Sequence, residues 1–104
     1  MKVEIVTRNK EHRQNLELLV PYKIGMMDAL SKKYDFPQPK VVKLRPLKEV
    51  CKDGPVYTLA WAGYSQTSGF YISMRMWLFE MGIRCTLHTL AHEVAHIAVC
   101  KKHS

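Results

Sequence analysis

The spacing of apolar and polar residues changes several times along the chain, and each change marks an element. Val3 and Ile5 alternate with Lys2, Glu4 and Thr7, the period-two pattern of a short strand. Residues 9–20 turn from polar to apolar, through Leu16, Leu18, Leu19 and Val20, and begin to look helical. Pro21 is tolerated only in a first turn, which places the main first helix after it. Val20, Ile24, Met27, Leu30 and Tyr34 then recur at helical spacing, as a core-facing stripe. Asp35-Phe36-Pro37-Gln38-Pro39 stops that helix.

Three strand segments follow. Lys40 to Leu44 is short and Val-rich, Asp53-Gly54-Pro55 is a turn signal, and Val56 to Tyr64 carries strand residues. After the Thr67-Ser68-Gly69 turn, Phe70 to Trp77 alternates, with Phe70, Ile72, Met74 and Met76 on one face and Tyr71, Ser73, Arg75 and Trp77 on the other. The two runs flanking that turn predict an antiparallel hairpin. A short helical turn over Leu78 to Met81 leads into a last helix from about Arg84 to Lys101, with Thr86 as its N-cap and Leu87, Leu90, Ala91, Val94, Ile97 and Ala98 at helical period. The order predicts one α+β domain over residues 1–104, with helices packed on a small three- to four-stranded, mostly antiparallel sheet.

Composition narrows the classes. With 104 residues, 47% apolar and 24% charged, the chain has the make-up of a globular domain rather than of a disordered segment. No apolar run approaches a membrane span, and Met1-Lys2-Val3-Glu4 offers no signal-peptide core. Cys51, Cys85 and Cys100 form no close pair, which argues against a disulfide framework and against a thiolate zinc site, and points to an intracellular setting. A net charge of +7 favours polyanions, nucleic acid first among them, although the basic residues are scattered.

The last helix contains His92-Glu93-Val94-Ala95-His96. Residues four apart on a helix share a face, so both imidazoles can grip one ion, and zinc takes neutral imidazole nitrogen at about 2.0–2.1 Å. Glu93 then stands beside the ion, where a carboxylate serves as general base toward activated water. Ala91, Val94, Ala95 and Ala98 let the rest of the helix be buried. The competing view is two surface histidines beside a carboxylate.

A catalytic zinc normally has three protein ligands and water. His103 is the nearest downstream candidate. On an unbroken helix it would stand about 10 Å further along the axis, so it ligates only if the chain turns back after Cys100. His88 is too far along the helix to share an ion with His96 and is assigned to substrate contact or structure. Cys100 is expected to be a buried small residue. His12 has no assigned place, and Glu80 remains open as a ligand. Tyr64 or Tyr71 could line the cleft, while the core accounts for most of the aromatic cluster Trp61, Tyr64, Phe70, Tyr71 and Trp77.

The stretches Ala60-Trp61-Ala62-Gly63, Gly69-Phe70-Tyr71-Ile72-Ser73 and Thr89-Leu90-Ala91-His92-Glu93-Val94-Ala95-His96 resemble the SprT-like zinc metallopeptidases, a minimal zincin group that includes the Spartan-type DNA–protein crosslink proteases. The resemblance covers roughly residues 57–103 and the N-terminal helix is compatible with it. It implies a zinc endopeptidase with His92 and His96 as ligands, Glu93 as base, Phe70–Met74 as the cleft rim where a substrate adds as a strand, a protein or peptide substrate, and proximity to DNA in the cytoplasm, nucleoid or nucleus. That family supplies a third histidine further on. Either His103 takes this role or the ligand lies outside these 104 residues, as it would in a domain truncated at its C-terminus or a site completed by a partner chain, or the chain is a degenerate member without hydrolytic activity. Two other readings stay open: a non-catalytic module that binds nucleic acid or protein, and a metal hydrolase acting on another bond such as a phosphodiester.

Overall fold

The computed structural model describes residues 2–47, 59–67 and 69–103, without the side chains of Lys102 and His103. The order is β1 (Lys2–Ile5), α1 (Lys10–Glu17), α2 (Val20–Tyr34), β2 (Val41–Pro46), β3 (Ala60–Ser65), β4 (Gly69–Met74), α3 (Leu78–Met81) and α4 (Ile83–His103). This is the α+β class. The predicted strand residues 56–58 lie outside the described residues.

The four strands form one sheet in the order β1-β2-β4-β3. The hairpin is antiparallel as expected, with Gly63 opposite Tyr71 and Ala62 opposite Ile72. The rest of the expectation needs correcting: β1–β2 and β2–β4 are both parallel, so the sheet is mixed and not mostly antiparallel. The reason is the crossover. Two helices carry the chain from the end of β1 back to the start of β2, which sets the two strands in the same direction.

One sheet face makes the core. Val42, Leu44, Ile72, Met74 and Ala60 bury against Leu16, Leu19, Met27, Leu90, Val94 and Ile97 of the helices, with Val3, Ile5, Ala62 and Phe70 packed alongside. The opposite face carries Lys2, Glu4, Lys43, Arg45, Tyr71 and Trp61, none of which joins that core. There the Arg45 guanidinium lies 4.0 Å from the Tyr71 ring centre and its Nε donates to Ser73 Oγ at 2.9 Å.

Local chemistry explains the helix ends. The Asn9 side chain accepts from the His12 N–H at 3.0 Å, capping α1. Pro21 sits in the first turn of α2, and Asp35 ends that helix in the left-handed region at φ 51°. The expected α2 stripe is modified: Met27 is buried, Tyr34 is 44% exposed, and Lys23 is fully buried. Between α3 and α4 stands Gly82 alone, at φ 115°, a backbone state that side chains resist. Thr86 is therefore not an N-cap. It lies inside α4, buried, and its hydroxyl donates to the carbonyls of Leu78 and Gly82 at 3.0 Å each, tying α3 to α4.

Candidate metal centre and cleft

The site is built on one flank of α4. Thr86, Leu90, Val94, Ile97 and Ala98 are buried and hold this helix on the sheet and on α2. Ala91 and Ala95, expected on the buried side, are exposed. His92 and His96 flank the buried stripe and are both exposed, whereas Glu93 between them is only 6% exposed. The two imidazoles meet with Nε2 atoms 3.0 Å apart and rings edge to face, 4.6 Å between centres.

These side chains open on a cleft of about 520 Å³, lined by His92, Glu93 and His96 from the helix and by Ala60, Trp61 and Ala62 from β3. Small residues in β3 keep the facing wall close to α4. The cleft rim is thus β3, not the expected Phe70–Met74 strand. β4 is paired on both sides, by β2 and β3, and has no edge to offer, while among the described residues β3 is the outer strand of the sheet. The hairpin turn alone does not say which of its two strands lies outermost; the long-range pairing of β2 with β4 decides that, and no local signal in the sequence reveals it.

Other candidate residues are placed apart from this cleft. His88 is exposed one turn before His92, His12 lies in α1 and Glu80 in the short α3; none of them lines the cleft. Among the described residues, no group of three or more His, Cys, Asp or Glu side chains is arranged to hold a metal ion. The backbone of α4 continues helical to His103, whose side chain lies outside the described residues, so the turn back after Cys100 does not occur. Cys100 is exposed rather than buried. Of the aromatic cluster, Trp61, Tyr64 and Trp77 are 57%, 60% and 40% exposed, so the core accounts for fewer of these rings than expected. Tyr71 belongs to the sheet face opposite the core, while Tyr64 borders a smaller cavity beside His96.

The pair of imidazoles fits a zinc ion on donor chemistry and on separation. Two imidazole nitrogens 3.0 Å apart would be donors of the kind zinc takes, and His92 and His96 are the residues that would hold it. No helix among the described residues is long and apolar enough to cross a membrane. Compared with protein-family models, with curated proteins and with solved structures, the chain matches none.

Proposed function

We propose that this chain is a zinc-dependent peptidase of SprT-like, zincin type. One observation carries the reading: two imidazole nitrogens 3.0 Å apart and a buried carboxylate face the same cleft as the outer strand of the sheet. A metal pair, a base and a surface for an extended chain are the parts that peptide hydrolysis requires.

In this mechanism His92 and His96 would hold zinc. When bound, zinc would supply a Lewis acid that polarises the scissile carbonyl and activates the attacking water. The Glu93 carboxylate takes the proton from the attacking water and delivers it to the leaving amine. Its burial beside the cleft holds it in place and sharpens its interaction with charge that develops there. The outer edge of β3, at Ala60 to Ala62, receives the substrate as an added strand through main-chain hydrogen bonds. This positions a peptide bond over the helix without demanding a particular side chain at every position.

The test is Glu93→Gln in the full chain. The variant is expected to bind about one zinc per chain, as the parent does, and to cleave an unfolded protein substrate about 10²- to 10⁴-fold more slowly. A variant that cleaves as fast as the parent would falsify the role given to Glu93. A second reading, a non-catalytic zincin-fold module that contacts nucleic acid or protein, draws on the lack of a third metal ligand among the described residues and on the net charge of +7. In that case neither parent nor variant cleaves.

A further inference from the structure

Beside the cleft lies a second, smaller hollow. Its volume is about 120 Å³, and it is lined by residues 62–64 of β3, Phe70 of β4, and His96, Ile97 and Cys100 of α4. It shares Ala62 and His96 with the larger cleft, so it opens within one residue's reach of the proposed metal pair. Its walls come from three elements: β3, β4 and the turn of α4 that follows His96. Tyr64 and Phe70, cross-strand partners, stand with ring centres 4.9 Å apart and form one side. Ile97, 2% exposed, anchors the base.

We propose that this hollow is the side-chain pocket that selects one residue of a bound polypeptide, and that it takes an unbranched or branched aliphatic side chain of the size of leucine or methionine. The volume sets the limits. At about 120 Å³ it exceeds a single water's share of about 30 Å³ several times over, and it falls short of the roughly 150 Å³ that accepts benzene. Glycine and alanine leave it largely unfilled, and tryptophan does not enter.

The chemistry of the walls agrees. Carbon atoms of Ala62, Phe70 and Ile97 offer an apolar side chain close contact and offer water few hydrogen-bond partners. Burying an apolar group against such a surface is favourable. No Asp, Glu, Lys or Arg lines the hollow, so a charged substrate side chain gains no partner there. The position follows from the sheet. A chain added to the edge of β3 alternates its side chains, and the one directed toward α4 beside His96 meets this hollow. The preference therefore falls on a single position flanking the bond.

The inference rests on the peptidase reading only in that the ligand is a polypeptide, and the experiment separates the two. The zinc-loaded full chain carrying Glu93→Gln is titrated, by fluorescence anisotropy, with labelled peptides that differ at one position: Gly, Ala, Leu, Met, Lys or Trp. Leucine and methionine are expected to bind about tenfold or more tighter than glycine, with lysine and tryptophan no better than glycine. Adding Cys100→Phe, which fills the hollow from an exposed helix position, is expected to bring the leucine-to-glycine ratio to about one, and Cys100→Leu to lower it partway; a thermal melt of each variant checks that it is folded. Equal binding of leucine and glycine peptides, absence of binding to any peptide, or a ratio untouched by folded Cys100→Phe overturns the pocket. Should leucine peptides bind selectively while the zinc-loaded parent cleaves none of them, the peptidase reading fails and the pocket stands. Cleavage without any preference has the opposite meaning.

Discussion

Replacing Lys23 by methionine should stabilise the protein, and by an amount that depends on pH. Lys23 lies in α2 with no solvent exposure, and burial pushes its ammonium from the usual 10.5 down to about 8. A difference of about 2.5 between the unfolded and folded values corresponds to about 3 kcal/mol against the charged form in the fold. The direction follows from proton counting. Between about pH 8 and 10.5 the unfolded chain holds the proton more often than the folded one, so raising the pH through this window favours folding. The penalty is complete below about pH 8, where both states are charged, and vanishes above about 10.5, where both are neutral. Lys23 also takes part in an interaction within the fold that methionine would lose, so the gain from removing the buried charge is at most about 3 kcal/mol. Against a total stability of about 5–15 kcal/mol such a change is easily read. Urea titrations of parent and Lys23→Met at pH 7 and pH 10.5 measure it. The expected result is a variant more stable by up to about 3 kcal/mol at pH 7, with the difference shrinking at pH 10.5. A gap that stays constant between the two pH values refutes the argument from buried charge.

The metal site and the sheet make their own predictions. Zinc at a hundredfold excess over its dissociation constant should stabilise the parent by about 2.7 kcal/mol, a rise in Tm of about 10–20 °C for a domain of this size. Differential scanning fluorimetry should show that rise lost in His92→Ala and in His96→Ala and kept in His88→Ala; a full rise in either of the first two contradicts the two-imidazole site. Gly63→Ala should destabilise the hairpin by about 1–3 kcal/mol in denaturant melts. The added Cβ would fall 2.5 Å from the Tyr71 hydroxyl and 2.6 Å from its ring, and Arg45 stacks on that ring and restrains it. A neutral Gly63→Ala would mean that the Tyr71 ring moves aside freely.

Much of the local structure was legible in the residues. The helix after Pro21 and its end at Asp35, the hairpin about Gly69, the turn at Leu78 to Met81 and the long last helix all stand where spacing and turn chemistry put them. The same holds for the central pair: histidines four apart meet because a helix brings every fourth residue round to one face, and the 3.0 Å between their nitrogens is that rule expressed. Boundaries differ by one to three residues, β4 ending at Met74 rather than Trp77, and Thr86 lies inside its helix because a threonine near a helix start looks like a cap whether its hydroxyl faces its own helix end or a neighbouring turn.

What only tertiary structure decided is everything that depends on residues far apart in the chain. Period-two alternation says that a segment is a strand and nothing about the direction of its neighbour, so the parallel pairings on either side of β2 come from how the chain connects the strands and not from the pattern. The outer position of β3, and with it the identity of the cleft wall, follows from that pairing. Burial behaves the same way. Cys100 lies exposed and Lys23 enclosed because exposure is set by which elements happen to cover a helix flank, and a residue's own polarity is only one contribution to the free energy of that arrangement. Helical geometry is local, so two histidines and a glutamate could be read as a unit; the wall they face, and the hollow next to it, exist only once distant strands have paired.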